Sequence, residues 1–269
     1  MTFSAAPLAH LAFVALTDVG CVRANNEDAV RVDAARGVAV LADGMGGYNA
    51  GEVASAMAVE LIGEALAAWL DEAGTDASAQ DVLRAMEDST DQANRRIFET
   101  ANTRADCAGM GTTVVLAVLR EDQVLVGHVG DSRAYHWRDG VLAQLTRDHS
   151  LLQEQLDAGL ITPQQAAVSG YRSWVTRALG VEDTVLLETS QHALRTGDTL
   201  LLCSDGLTEM VPDWMIAAVL ADAAALPTQA QRLIDAAKSA GGRDNVSVIL
   251  IHVEQVIKKS GITGKWWKK

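Results

Sequence analysis

The stretch VAVLADGMGGYNAGEVAS, Val38 to Ser55, changes character twice within eighteen residues. It opens as the apolar run Val38–Ala42, which reads as a strand with both faces buried. It then breaks at Asp43 into a turn rich in glycine, with Gly44, Gly46 and Gly47 permitting positive φ and close backbone approach. Beyond the turn, Glu52–Leu70 carries Ala and Leu at helical spacing, so a helix follows the strand. The carboxylate of Asp43 therefore stands at the end of a buried strand, where the chain turns out of the sheet.

The same grammar recurs three times. Asp131 in GHVGDSRAY, Asp205 in LLCSDGL and Asp244 in GGRDNVSVIL each end or open an apolar strand-like run beside Gly or Asn. A single Asp-Gly is an ordinary turn. Four carboxylates placed at strand ends can converge at one rim of a sandwich, where unpaired they would repel and take up protons. Bound divalent cations remove that conflict, and a set rich in Asp without a His or Cys cluster favours Mg²⁺ or Mn²⁺ over Zn²⁺. Arg23 in RANNED adds a planar guanidinium suited to a phosphate, next to the acidic pair Glu27 and Asp28.

Outward from these runs, the chain alternates by blocks. Strands are expected at Leu11–Thr17, Ala29–Val32 and Val38–Ala42, then helices at Glu52–Leu70 and Ala79–Thr103. Strands return at Thr112–Leu119, Val124–Val129, Arg133–Trp137 and Leu142–Leu145, with a hairpin turn at Arg138-Asp139-Gly140. Ser150 to Gln153 and Thr162 to Gln165 match capping boxes, and Pro163 suits a first helical position, so two short helices form an insert. Val185–Glu188 and Thr199–Leu202 read as strands, Asp213–Leu220 and Thr228–Ala240 as helices, and Val246–Val253 as the closing strand. The order predicts an α+β, four-layer α-β-β-α sandwich: two packed antiparallel sheets flanked by helix pairs.

Bulk properties narrow the function. The chain of 269 residues is 49% apolar, enough for a large core. Its net charge of −13 argues against nucleic acid, which is held mainly by Lys and Arg. Such a surface would also repel a phosphorylated substrate unless cations sit among the carboxylates. Cys21, Cys107 and Cys203 lie far apart with no CxxC spacing, which fits reduced thiols in a cytoplasmic protein. The start lacks the basic residues of a signal peptide. No continuous apolar run approaches the roughly 20 residues that span a bilayer.

The motifs VRANNED, LADGMGGYNAGEVAS, MGTTVV, VGDSRAY, LTRDHSL, VTRALG, LLCSDGLTEMV and RDNVSVIL occur in one order from about residue 10 to 253. Their order and spacing resemble the bacterial branch of the PP2C (PPM) protein serine/threonine phosphatases. The resemblance implies hydrolysis of phosphoserine and phosphothreonine on proteins by direct in-line attack of a water or hydroxide bridging two Mn²⁺ or Mg²⁺ ions. It implies that Asp43 bridges the ions, that Asp205 and Asp244 complete one, and that the Gly44 carbonyl helps hold the other. Glu27 and Asp28 match the acidic pair that orients metal-bound waters, Asp28 counting with the metal set. Asp131 with Asp205 matches a third metal position, and Asn245 would steer Asp244 from behind. Arg23 matches the phosphate clamp. A phosphorylated protein substrate and a cognate serine/threonine kinase are the implied partners, for a monomer.

Two departures stand out. Met45 occupies the place where many eukaryotic relatives have the His that protonates the leaving oxygen, which leaves a metal-bound water or His149 for that task. The insert, a flap at about 148–175, carries VSGYRSWVTRALG in place of the commoner bacterial pattern. Tyr171 and Trp174 either shape a substrate surface or pack beneath the flap. This variant resembles phosphatases that oppose a kinase in type VI secretion clusters. Cys203, although beside Asp205, reads as a buried strand-end residue with no catalytic role. Two other functions fit less of the pattern: a non-catalytic phosphoprotein-binding module, and a hydrolase of small phosphate esters. Residues 1–254 are read as the catalytic domain and 255–269, with five Lys and two Trp, as a disordered basic tail. Its composition also suits an anionic membrane surface.

Overall fold

The computed structural model describes residues 9–46, 50–166 and 174–256. Period-two alternation sorts its apolar side chains into three layers. In β3 (Val38–Met45), Val38, Val40 and Ala42 face one layer while Ala39 and Leu41 face the next. In β5 (Val114–Arg120), Val114, Leu116 and Val118 part from Val115, Ala117 and Leu119 in the same way. Both faces of these strands are therefore buried, which is why they read as unbroken apolar runs.

One sheet has the order β1-β11-β10-β7-β8, formed by Ala9–Asp18, Val246–Val256, Thr199–Cys203, Arg133–Arg138 and Val141–Gln144. The other runs β2-β3-β5-β6-β9 and adds β2 (Asp28–Asp33), β6 (Gln123–Val129) and β9 (Glu188–Ala193). The two-residue β4 (Gly111–Thr112) pairs with the end of β3. All the strand pairs are antiparallel. Between the sheets lie Leu41, Val115, Val126, Leu200, Leu202, Ile249 and Ile251.

Helices α1 (Ala50–Ala73) and α2 (Ala79–Thr103) cover the second sheet through Ala54, Ala58, Ile62, Leu66, Met86 and Ile97. Helices α6 (Asp213–Ala221) and α7 (Leu226–Ser239) cover the first through Ile216, Leu220, Leu233 and Ile234. The four-layer α-β-β-α order expected from the sequence is the order observed. Helix α1 is long and apolar enough to cross a bilayer by length and composition. Ala50, Ala54, Ala58, Ile62, Leu66 and Leu70 are nevertheless buried along it, as in a core helix.

The Asp139-Gly140 turn has φ of 52° and 83°, the paired left-handed conformation that matches the twist of a tight hairpin. The flap begins with α3 (Leu151–Asp157) and α4 (Pro163–Ala166). At α4 the capping box is complete, Thr162 and Gln165 bonding each other's backbone N–H. At α3 only Ser150 caps, while Gln153 turns to Asp157 instead.

Two expectations need correction. The strand expected at Val185–Glu188 begins at Glu188 and runs to Ala193. It is a polar edge strand held by backbone pairing to β6, so it carries no apolar run to betray it. Leu187 and Val185 instead pack from irregular chain against the α1/α2 core. The closing strand continues to Val256, because Gln255 and Val256 pair with His10 and Ala9, so a boundary after residue 254 falls inside it. The rest of the tail lies outside the described residues.

Candidate metal centre

Strand register brings the first two carboxylates together. Asp28 opens β2 directly opposite Asp43 in β3, and both share a face with Val30, Leu41 and Val32, the face between the sheets. On the facing sheet, Asp205 follows β10 and opens the short helix α5 (Asp205–Thr208), while Asp244 precedes β11. Asp131 lies in the connection from β6 to β7. All the Asp residues selected from the sequence thus gather at one end of the sandwich.

Their electrostatics show the consequence. Burial raises the pKa of Asp43 well above the usual carboxylate range, and Asp28, Asp205, Asp131 and Asp244 raise it further. Asp205 is pushed the same way by burial, then by Asp131, Glu209, Asp244 and Asp28. Asp131 is raised to about 7, by burial and then by Asp148. Burial raises Asp28 to about 6 against the pull of the Ser247 and Ser204 hydroxyls. One oxygen of Asp28, Oδ1, is buried with no hydrogen-bond partner. Buried groups of this kind need a partner, and the guanidiniums at the edge of the cluster, Arg23 and Arg133, donate to Asp244 and Asp148 rather than to Asp28 Oδ1. Oxygen donors carrying several negative charges in one cluster fit a hard divalent ion. The residues present therefore fit the Mn²⁺ or Mg²⁺ that the sequence pattern implies.

Backbone fit is equally tight. The N–H of Gly44 donates to the Glu27 carbonyl at 3.0 Å. A Cβ at Gly44 would lie 2.1 Å from the Gly51 carbonyl oxygen, so only glycine brings β3 against α1 here. Asp43 is pinned on both sides: its N–H donates to Thr113 Oγ1 at 3.1 Å, and its carbonyl accepts from Thr112 Oγ1 at 2.8 Å. Thr113 Oγ1 also meets Ser132 Oγ at 2.7 Å, which links the Asp43 strand to the Asp131 loop.

Arg23 stands at the rim, half exposed, its guanidinium donating to Asp244 Oδ2 at 2.7 Å. Glu27 lies behind it; burial raises its pKa, against the favourable charge of Arg23. Asn245 ties this loop down. Its Oδ1 accepts from Glu27 N at 2.8 Å, and its Nδ2 donates to the carbonyls of Val19 and Asn25. The contacts of the Asn245 side chain are thus with the β1–β2 connection, which carries Arg23 and Glu27, while its own N–H donates to Asp244 Oδ1.

Other sequence expectations resolve by contact. His149 is buried; its Nδ1 accepts from Gly130 N at 3.2 Å and its Nε2 meets Glu188 Oε2 at 3.1 Å. It also stacks on His128 with ring centroids 4.6 Å apart. Both ring nitrogens are engaged, so His149 braces the loop before Asp131 rather than supplying a proton. Cys203 is fully buried and burial pushes its thiol to about 12, which leaves it inert. Trp174 is 57% exposed and so does not fill a space beneath the flap. Tyr171 lies outside the described residues.

Four further residues, Arg133, Asp148, Glu209 and Ser204, were not anticipated as parts of the site. Arg133 clamps Asp148 bidentately at 2.9 and 2.7 Å and reaches the Tyr135 hydroxyl at 3.0 Å. Arg133, Asp148 and Glu209 line a cavity of about 210 Å³ that adjoins Asp131 and Asp205 and is walled by Leu152 and Leu156 of the flap. Ser204 Oγ donates to Asp28 Oδ2 at 2.8 Å. The alternation Leu200, Leu202, Ser204 could have exposed this serine, a hydroxyl continuing an apolar face toward the acidic end.

Such a sandwich, with acidic residues from both sheets meeting at one end, defines a hydrolase built around divalent cations. The chain belongs to the protein phosphatase 2C family, whose profile matches residues 22–238. It is 40% identical over 238 residues to the serine/threonine phosphatase stp of Listeria monocytogenes, covering 87% of this chain and 93% of that one. The catalytic domain of the serine/threonine protein phosphatase PstP, solved with two manganese ions, superposes with a TM-score of 0.78 at 37% identity, over 90% of this chain and 98% of that one. PppA, a regulatory component of the type VI secretion system of Pseudomonas aeruginosa, superposes with a TM-score of 0.78 at 31% identity, over 91% and 99%.

Proposed function

We propose that this protein hydrolyses phosphoserine and phosphothreonine in protein substrates, using Mn²⁺ or Mg²⁺ held by Asp43, Asp205 and Asp244 with the Gly44 carbonyl. Asp28 and Glu27 face the same ions or their waters, and Asp131 with Asp205 offers a third position. The observation that carries the reading is the set of buried, mutually repelling carboxylates with the orphaned Asp28 Oδ1 among them. When bound, the ions supply the Lewis-acid charge that readies water for attack on phosphorus and offsets charge on the phosphoryl oxygens.

The protein's own groups do the rest. Arg23 offers N–H donors to the phosphoryl oxygens at the rim. Asn245 holds the loop that carries Arg23 and Glu27, and Thr112 and Thr113 hold the main chain of Asp43. No nucleophilic side chain is required, in keeping with the inert Cys203. Proton delivery to the leaving oxygen falls to solvent at the site, since Met45 carries no proton and His149 is engaged on both nitrogens.

A serine/threonine kinase is the natural opponent of this activity, and a type VI secretion setting is one such pairing, supported by the likeness to PppA. The proposal places a monomer in the cytoplasm, where the free Cys21 stays reduced. The segment after Val256 is proposed as a tail dispensable for catalysis. The test is turnover of a phosphothreonine peptide against nucleotides and sugar phosphates, before and after EDTA and on return of Mn²⁺. The reading predicts peptide preference, loss in chelator and recovery with metal. Full activity in chelator refutes the metal site, and preference for the small esters refutes the protein substrate.

A further inference from the structure

Ser204 is enclosed completely and sits one residue before Asp205, yet its side chain reaches away from that residue to the opposite sheet. Its oxygen accepts from Ser247 N at 3.0 Å, and its main-chain N–H donates to the Ser247 carbonyl at 3.1 Å. The neighbouring Ser247 hydroxyl, which also acts to lower the Asp28 pKa, meets Thr17 Oγ1 at 2.8 Å. With the oxygen already accepting a backbone N–H, the hydroxyl proton is directed to Asp28 Oδ2 at 2.8 Å.

This direction fixes the carboxylate. A buried Asp at a strand start has several ways to turn, and a hydrogen bond to one oxygen removes that freedom. Oδ2 is held by Ser204, so Oδ1 is left as the oxygen without a partner, inside the acidic cluster. The bond also crosses from the residue after β10 to the first residue of β2, so it ties the sheet that leads into Asp205 to the sheet that carries Asp43.

We infer that Ser204 is a positioning residue for the metal centre: its hydroxyl locks Asp28 so that Oδ1 is left to face a bound cation or its waters. The inference rests on the proposed metal site and adds to it a residue that touches neither metal nor substrate. Groups that orient a ligand from behind typically change metal affinity about 10–100-fold when removed.

The experiment is calorimetric titration of the full chain, stripped with EDTA, with Mn²⁺ alone, for wild type, Ser204→Ala, Asp28→Asn and the double variant. Wild type that binds no Mn²⁺ overturns the proposed function itself. Given binding, Ser204→Ala is expected to raise the Mn²⁺ Kd about tenfold. Adding Ser204→Ala to Asp28→Asn is expected to cost nothing more, because its route to the metal is already gone. Ser204→Thr, which keeps the hydroxyl, should restore most of the affinity, and Ser204→Cys, a weak donor of similar size, should behave like Ser204→Ala if that variant folds poorly. An unchanged Kd in both Ser204→Ala and Ser204→Cys overturns the inference, as does a loss that persists in full in the Asp28→Asn background. A purely structural serine would lower the melting temperature of the metal-free protein while leaving the Kd alone.

Discussion

Replacing Asp28 by Asn should stabilise the metal-free protein while damaging the enzyme. Asp28 is buried, Oδ1 has no partner, and its pKa is raised to about 6 from the ordinary 3.8. A rise of about two units, at 1.36 kcal/mol per unit, means that ionised Asp28 costs the fold about 3 kcal/mol. Asn keeps an oxygen to accept from Ser204 and replaces the charged, orphaned atom with a neutral amide. The pH dependence has a fixed sign. Between the unfolded and folded pKa values the native state binds the proton more tightly, so wild-type stability falls as pH rises through that window. The variant lacks that loss. Its advantage in EDTA should therefore be about 3 kcal/mol at pH 7.5 and about half that at pH 5. For a chain of this size about 3 kcal/mol corresponds to roughly 6–12 °C in Tm.

Urea denaturation in chelator at the two pH values, followed by circular dichroism, measures the difference directly. Mn²⁺ should narrow the gap, since a ligand at 100 times its Kd stabilises wild type by about 2.7 kcal/mol and the variant, which binds it less well, by less. An Asp28→Asn protein less stable than wild type in EDTA at pH 7.5, or equally stabilised at both pH values, would refute the account of the centre as stored repulsion.

Two further perturbations probe the rim and the backbone. Arg23→Ala should lower kcat/KM for a phosphothreonine peptide about 10–100-fold, the worth of a charged hydrogen bond, while Mn²⁺ affinity by calorimetry changes little. An unchanged kcat/KM would reduce Arg23 to a surface partner of Asp244. Gly206→Ala places a Cβ 2.0 Å from the Asn245 carbonyl oxygen, where backbone rather than a flexible side chain must move. It should cost about 1–3 kcal/mol or more in urea and weaken Mn²⁺ binding through Asp205 and Asp244; wild-type values for both would show that this close approach is slack.

The Asp-ended apolar runs were legible because period-two burial on both faces leaves no alternation, and because a carboxylate beside glycine marks where such a strand must stop. From these features the sequence determined the layers, the hairpin at Asp139-Gly140 and the carboxylates of the site. Edge strand β9 escaped it, since Glu188–Ala193 is held by backbone pairing and its side chains carry no pattern. The engagement of His149 also depended on the fold, because its partners His128, Gly130 and Glu188 come from β6, the β6–β7 connection and β9 respectively. Strand ends in the sequence say which residues reach the rim. Only the packing of one sheet on the other decides which oxygen of Asp28 is bonded and which is left bare, because Ser204, 176 residues away, makes that choice across the interface.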